Sequence, residues 1–165
     1  SITFGAPSKT FNIAGIVTSY AIVPNESLRE KFFGWMGGNE LNQPDIFAPI
    51  ATVAAFENGE PWRVQMLKYV EENIEFTIDF CRKYIPQITP IRPEASFLVW
   101  LDCRELNLSH TELVELFENR AKLALNSGAI FGTQGEGFMR LNVGTPRSVL
   151  EQALQQLKAA VADLG

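Results

Sequence analysis

Histidine and cysteine are nearly missing from this chain: His110 is the only histidine, and Cys81 and Cys103 are the only cysteines. Two isolated cysteines are too few for a disulfide framework or a zinc site, so no metal is expected and a reducing cytoplasm fits. Positive charge is also scarce, with 14 basic against 19 acidic residues and a net charge of -5. That balance is a poor match to a phosphate backbone, which excludes nucleic acid as the natural partner. No apolar run approaches the roughly 18 residues of a membrane helix. The opening Ser1 to Gly5 lacks both the basic start and the apolar stretch of a signal peptide, and the chain reads as starting in mid-structure. Repeats, charge blocks and low-complexity segments are missing too.

What remains is ordinary globular composition, 46% hydrophobic and 20% charged, long enough for a sizeable core and about one domain. Ile2 to Phe4 reads as the end of a strand running into a turn at Gly5-Ala6-Pro7, and Ile16 to Val23 as a buried strand stopped by Pro24-Asn25. A short helix over 27–36 is expected to end at Gly37-Gly38, followed by a loop to Pro44. Ile46 to Phe56 is apolar nearly all round, which predicts a buried helix stopped at Asn58-Gly59. Pro61 opens the longest helix, to about Tyr84. Its apolar stripe is Trp62, Met66, Tyr69, Val70, Ile74, Ile78 and Cys81, and Lys68-Glu72 and Asp79-Lys83 pair on the wet side.

A boundary is expected near residue 60, giving segments 1–60 and 61–165. In the second, Ser96 to Leu101 reads as a strand, and Ser109-His110-Thr111-Glu112 as a capping box opening a helix with Leu113, Leu116, Phe117 and Ala121 inside. Lys122 to Leu125 is a candidate short strand, and Phe138 to Val143 is the clearest strand. Thr145-Pro146 starts a last helix lined by Leu150, Leu154, Leu157, Val161 and Leu164. Strands alternating with helices give an α/β layering.

Few residues could carry chemistry. The glycines from Gly128 to Gly137 lead into a strand rather than a helix, so they read as turns needing positive φ, not as a phosphate cradle. His110, inside the capping box, reads as a surface residue, and both cysteines as inert thiols. Lys9 follows a strand and is flanked by Phe4, Phe11 and Ile13. An apolar setting disfavours its ammonium and favours a reactive amine, able to form a Schiff base or take up a proton; the alternative is a loop lysine reaching solvent. Arg140 lies in mid-strand, where alternation puts Phe138, Arg140 and Asn142 on one face. Its planar fork suits a carboxylate, either an internal one or that of a ligand.

Ser8-Lys9-Thr10-Phe11-Asn12-Ile13-Ala14-Gly15 resembles the lysine motif of fold-type-I pyridoxal-phosphate (PLP) enzymes. In particular it looks like the cystathionine β-lyase-like C–S lyase branch of the class I/II aminotransferase superfamily. Gly59-Glu60-Pro61-Trp62, the stretch from Ser96 to Asp102 and the stretch from Gly135 to Ser148 are similar too, in the family's order and at about its spacing. The resemblance implies that Lys9 holds PLP and removes the substrate's α-proton, that the Ser8 hydroxyl helps to bind the cofactor phosphate, and that Arg140 grips an amino acid's α-carboxylate. It implies a β-elimination releasing a thiol, with transamination as the alternative and a non-catalytic α/β interaction module as the rival of another class. The chain departs from the family pattern at Ala6, where some members have serine, and at Val17, where others have arginine. By the same resemblance it is a C-terminal fragment: the end of the large-domain sheet, then the small α/β domain. Such a fragment is expected to be inactive alone, with large-domain surface uncovered, and its parent to be a homodimer.

Overall fold

The structure is a computed structural model, described for residues 1–164. It divides into two compact units, one from Ser1 to Met66 and one from Leu67 onward, the division falling within a single long helix.

The first unit holds a two-stranded antiparallel sheet, β1 (Thr3–Gly5) and β2 (Tyr20–Ile22), with Phe4 opposite Ala21. Between them the chain turns through Pro7 to Ile13, where the Phe11 N–H donates to the Pro7 carbonyl (2.9 Å) and the Ile13 N–H to that of Ser8 (3.0 Å). A single 3-10 turn, Ala14–Ile16, follows and ends on Val17 at φ 50°. The expected buried strand from Ile16 is therefore shortened to Tyr20–Ile22, and of its apolar residues only Val23 is buried. A β-branched residue at positive φ breaks extended backbone, which is why the strand cannot begin earlier.

Helix α1 (Glu26–Gly38) is capped by the Asn25 side chain, which accepts from the Leu28 N–H, and it runs through both glycines to Asn39. Helix α2 (Phe47–Asn58) forms where its apolar run predicts, yet it is not buried: only Ala48 is, while Ile50 is 68% exposed. An all-round apolar helix needs partners on every side. Here its ring contacts among the described residues are made by Phe56, which meets Phe11 at 5.4 Å and Tyr20 at 6.2 Å. Helix α3 (Glu60–Tyr84) opens with Glu60 clamping Arg63 at 2.7 Å.

The second unit is a four-stranded antiparallel sheet in the order β3-β4-β6-β5. Its strands are β3 (Thr89–Ile91), β4 (Leu98–Asp102), β5 (Asn126–Ser127) and β6 (Phe138–Asn142). The expected strand over Lys122 to Leu125 does not form, because Lys122 sits at φ 57° and pairing begins only at Asn126. Alternation along β6 is as read: Met139 and Leu141 are buried, and so is Val143 beyond the strand's end. With Val99 and Leu101 of β4 they form the sheet's share of the core.

Helix α4 (His110–Glu115) has the expected capping box: the Ser109 hydroxyl accepts from the Glu112 N–H, and the Glu112 carboxylate accepts from the Ser109 N–H at 2.8 Å. Leu113, Leu116, Phe117 and Ala121 are all buried, the last turn widening into a π turn over Leu116–Arg120. Helix α5 (Arg147–Ala162) buries Leu150, Leu154, Leu157 and Val161 but leaves Leu164 at its rim. It starts after Pro146, with no side-chain cap from Thr145; instead the Arg147 N–H donates to the Tyr69 hydroxyl at 2.6 Å.

The stripe of α3 is shifted from the expected one. Within the second unit its buried residues are Val70, Asn73, Ile74, Thr77, Phe80 and Cys81, while Tyr69 stays exposed. The buried polar pair is satisfied: Asn73 donates to the carbonyls of Val143 (2.8 Å) and Thr145 (3.0 Å) and accepts from Arg147 Nε (2.8 Å), and the Thr77 hydroxyl donates to the Asn73 carbonyl. On the wet side, Asp79 meets Arg82 rather than Lys83, and Arg92 reaches both Glu71 and Glu75.

Candidate functional site

Lys9 and Ser8 lie in the turn after β1, Ser8 half-buried and Lys9 exposed. The enclosure expected from the flanking apolar residues does not form around the lysine, since Phe4 itself is 64% exposed. The turn nevertheless places a primary amine and a hydroxyl side by side at the end of a strand.

Arg140 lies on the other unit, on the half-open face of the sheet, opposite Trp100 across the β4–β6 ladder and opposite Asn126 across β5–β6. One guanidinium N–H donates to the Asn126 side-chain carbonyl at 2.8 Å. The guanidinium lies 4.6 Å from the centroid of the Phe131 ring, which in turn meets Trp100 edge-on at 5.4 Å. Arg140 Nε is buried and has no hydrogen-bond partner among the described residues, nor does Arg140 form an ion pair there. A buried N–H without an acceptor costs about 1–3 kcal/mol. An arginine pinned by an amide and a ring, with one N–H left over, has a donor to spare for a further acceptor. Of the two readings open for Arg140, an internal carboxylate is not found among the described residues. Asn126 and Phe131 had no local sequence signal; only the tertiary pairing of β5 with β6 brings them to the arginine.

The remaining candidates resolve otherwise. Burial pushes the Cys81 thiol up to about 12 and the Cys103 thiol higher still, so both are inert. His110 is not a surface residue: it is half-buried, with Nε2 2.7 Å from the Ser127 hydroxyl and Nδ1 accepting the Gly137 N–H at 3.3 Å. Gly132 and Gly137 adopt the positive φ expected of that glycine-rich stretch, at 128° and 82°. No described helix is long and apolar enough to cross a membrane.

No family model matches the chain. Comparison with known proteins nonetheless identifies the fold as that of PLP-dependent transferases. The chain superimposes on cystalysin from Treponema denticola, a structure containing a pyridoxal 5'-phosphate cofactor, with a TM-score of 0.94, 32% identity, and coverage of 99% of this chain and 42% of that one. It is 38% identical over 162 residues to cystathionine beta-lyase PatB of Bacillus subtilis, covering 98% of this chain and 42% of that protein. To protein MalY of Escherichia coli it is 33% identical over 155 residues, covering 93% and 40%. Aminotransferases are among the homologues too, an aspartate aminotransferase of Pyrococcus horikoshii at 25% identity over 158 residues. The chain is thus a homologue of class I/II PLP-dependent enzymes, among them cystathionine beta-lyases and C–S lyases. It spans about two fifths of the length of the curated relatives it matches, as a C-terminal fragment of such an enzyme would.

Proposed function

We propose that this chain is the C-terminal part of a PLP-dependent C–S β-lyase that performs α,β-elimination on a sulfur amino acid. The observation that carries the reading is Arg140: a guanidinium fixed by Asn126 and Phe131, with a buried Nε that has no acceptor among the described residues. The donor set suits the cofactor. Lys9 offers a primary amine for its aldehyde carbon, and the Ser8 hydroxyl beside it offers a hydrogen bond to its phosphate. PLP, when bound, supplies the electron sink that makes an amino acid's Cα–H acidic.

The chain's own residues do the rest. Arg140 binds the α-carboxylate through two N–H donors and so orients the substrate. Lys9 Nζ, as a free amine, would accept the proton from Cα. The Cβ–S bond then breaks and the thiolate departs, and hydrolysis of the remainder yields an oxoacid and ammonia. Transamination is the alternative, favoured by the aminotransferases among the homologues; it uses the same two residues. We place the complete enzyme in the cytoplasm as a homodimer, with residues 1–60 belonging to its large domain and 61–165 forming its small one. By itself the chain is expected not to turn over, because the resemblance assigns the partner of the pyridine nitrogen and the main phosphate loop to the N-terminal region of the relatives.

The test is an assay of the complete protein with PLP and L-cystathionine. Stoichiometric release of thiol, oxoacid and ammonia is expected. Amino-group transfer to an added oxoacid without thiol release would replace the lyase reading by the aminotransferase one.

A further inference from the structure

Strand β5 consists of two residues, Asn126 and Ser127, paired with Arg140 and Met139 at the edge of the sheet. So short a strand has little ladder of its own to fix its register. A slip of one residue would turn Asn126 away from the face that carries Arg140. His110 reaches both sides of this joint. Its Nδ1 accepts the N–H of Gly137, the residue that enters β6 at φ 82°. A neutral ring that accepts at Nδ1 carries its proton on Nε2, which donates to the Ser127 hydroxyl at 2.7 Å. One imidazole thus ties the two-residue edge strand to the start of the strand bearing Arg140. Asn126, next to Ser127, holds the guanidinium at 2.8 Å.

We propose that His110 is a positioning residue for the substrate carboxylate: acting through Ser127 and Gly137, it sets the register in which Asn126 orients Arg140. The inference rests on the reading of Arg140 as the carboxylate grip. Among the described residues His110 bonds to Ser127 and Gly137 and not to Arg140 itself, so its effect must pass through β5.

The experiment uses the complete PLP-loaded enzyme, steady-state kinetics with L-cystathionine, and calorimetric binding of 3-phenylpropionate, a carboxylate with no amino group. Four variants are compared: His110→Ala, His110→Asn, which keeps an acceptor near the Nδ1 position, His110→Gln, which keeps a donor near the Nε2 position, and Arg140→Lys as the control. His110→Ala is expected to raise KM and weaken 3-phenylpropionate by about tenfold, the scale of a small misplacement of a binding group, with a much smaller change in kcat. His110→Gln should restore most of that loss through Ser127, and His110→Asn less. If His110→Ala folds poorly, Ser127→Ala reads the same link and should reproduce the KM effect. Unchanged KM and 3-phenylpropionate affinity in His110→Ala, beside a clear loss in Arg140→Lys, would overturn the positioning role and leave the grip standing. No loss in Arg140→Lys would overturn the grip and the positioning role together. A fall in kcat alone would also overturn the inference.

Discussion

Asn73 is the fully buried polar side chain on which the end of β6 and the start of α5 converge. Replacement by leucine keeps the branched outline, with bulkier methyl groups, and removes all three of its hydrogen bonds. The Val143 carbonyl sits beside a residue with no exposed surface, and leaving it without a donor costs about 1–3 kcal/mol. The Thr145 carbonyl and Arg147 are half-buried and can turn to water, so each loses the net value of a bond, about 0.5–1.5 kcal/mol. The three losses add to about 2–6 kcal/mol, and the added leucine burial brings the net to about 3 kcal/mol. For a chain of this size each kcal/mol moves Tm by about 2–4 °C, so Asn73→Leu should melt about 6–12 °C lower by circular dichroism or calorimetry. Asn73→Asp should do no better, since a carboxylate would face two carbonyls in place of two donors. A melting shift under about 2 °C for Asn73→Leu would refute the assignment of Asn73 as the tie between α3 and the β6–α5 turn.

Arg140→Leu should leave Tm nearly unchanged, because no described carboxylate is orphaned, while Arg140→Lys in the complete enzyme lowers kcat/KM for amino acids about ten- to hundredfold. A melting loss of about 3–5 kcal/mol in Arg140→Leu would point to an internal ion pair instead. Val17 holds φ 50° with 81% of its surface exposed, so Val17→Asn, which tolerates that conformation, should stabilise the chain by about 0.5–1 kcal/mol in thermal melts. Destabilisation by that change would mean the valine side chain is held by contacts. The Arg104 side chain, donating to the Asp102 carboxylate, holds its carboxyl below the usual value. A depressed carboxylate stabilises above its unfolded value and loses that stability as pH falls through the folded one, so Asp102→Asn should lower Tm at pH 7 and lose its effect at a pH below the depressed folded value. An equal effect at both pH values would contradict the linkage.

Sequence periodicity reached those elements whose burial is one-sided. β6 was legible because Met139 and Leu141 alternate with Arg140, and α4 because its capping box is a local chemical pattern. β3 was not, since Thr-Pro-Ile carries a proline that only an edge strand tolerates, and its pairing with β4 is tertiary. α2 was legible as a helix but not in its environment: an apolar run reports what a segment needs, not what surrounds it. Arg140 could be singled out as an arginine in mid-strand. Its partners Asn126 and Phe131 and the His110 bridge to Ser127 and Gly137 depend on residues many positions apart that only the folded sheet brings together.

The central claim is that Lys9 is the residue that holds PLP. Borohydride reduction of the complete protein incubated with PLP, followed by peptide mass spectrometry, tests it most directly. The account predicts one reduced pyridoxyl adduct on Lys9, blocked by Lys9→Ala together with catalysis. A stoichiometric adduct on another lysine, or undiminished elimination by Lys9→Ala, would contradict it.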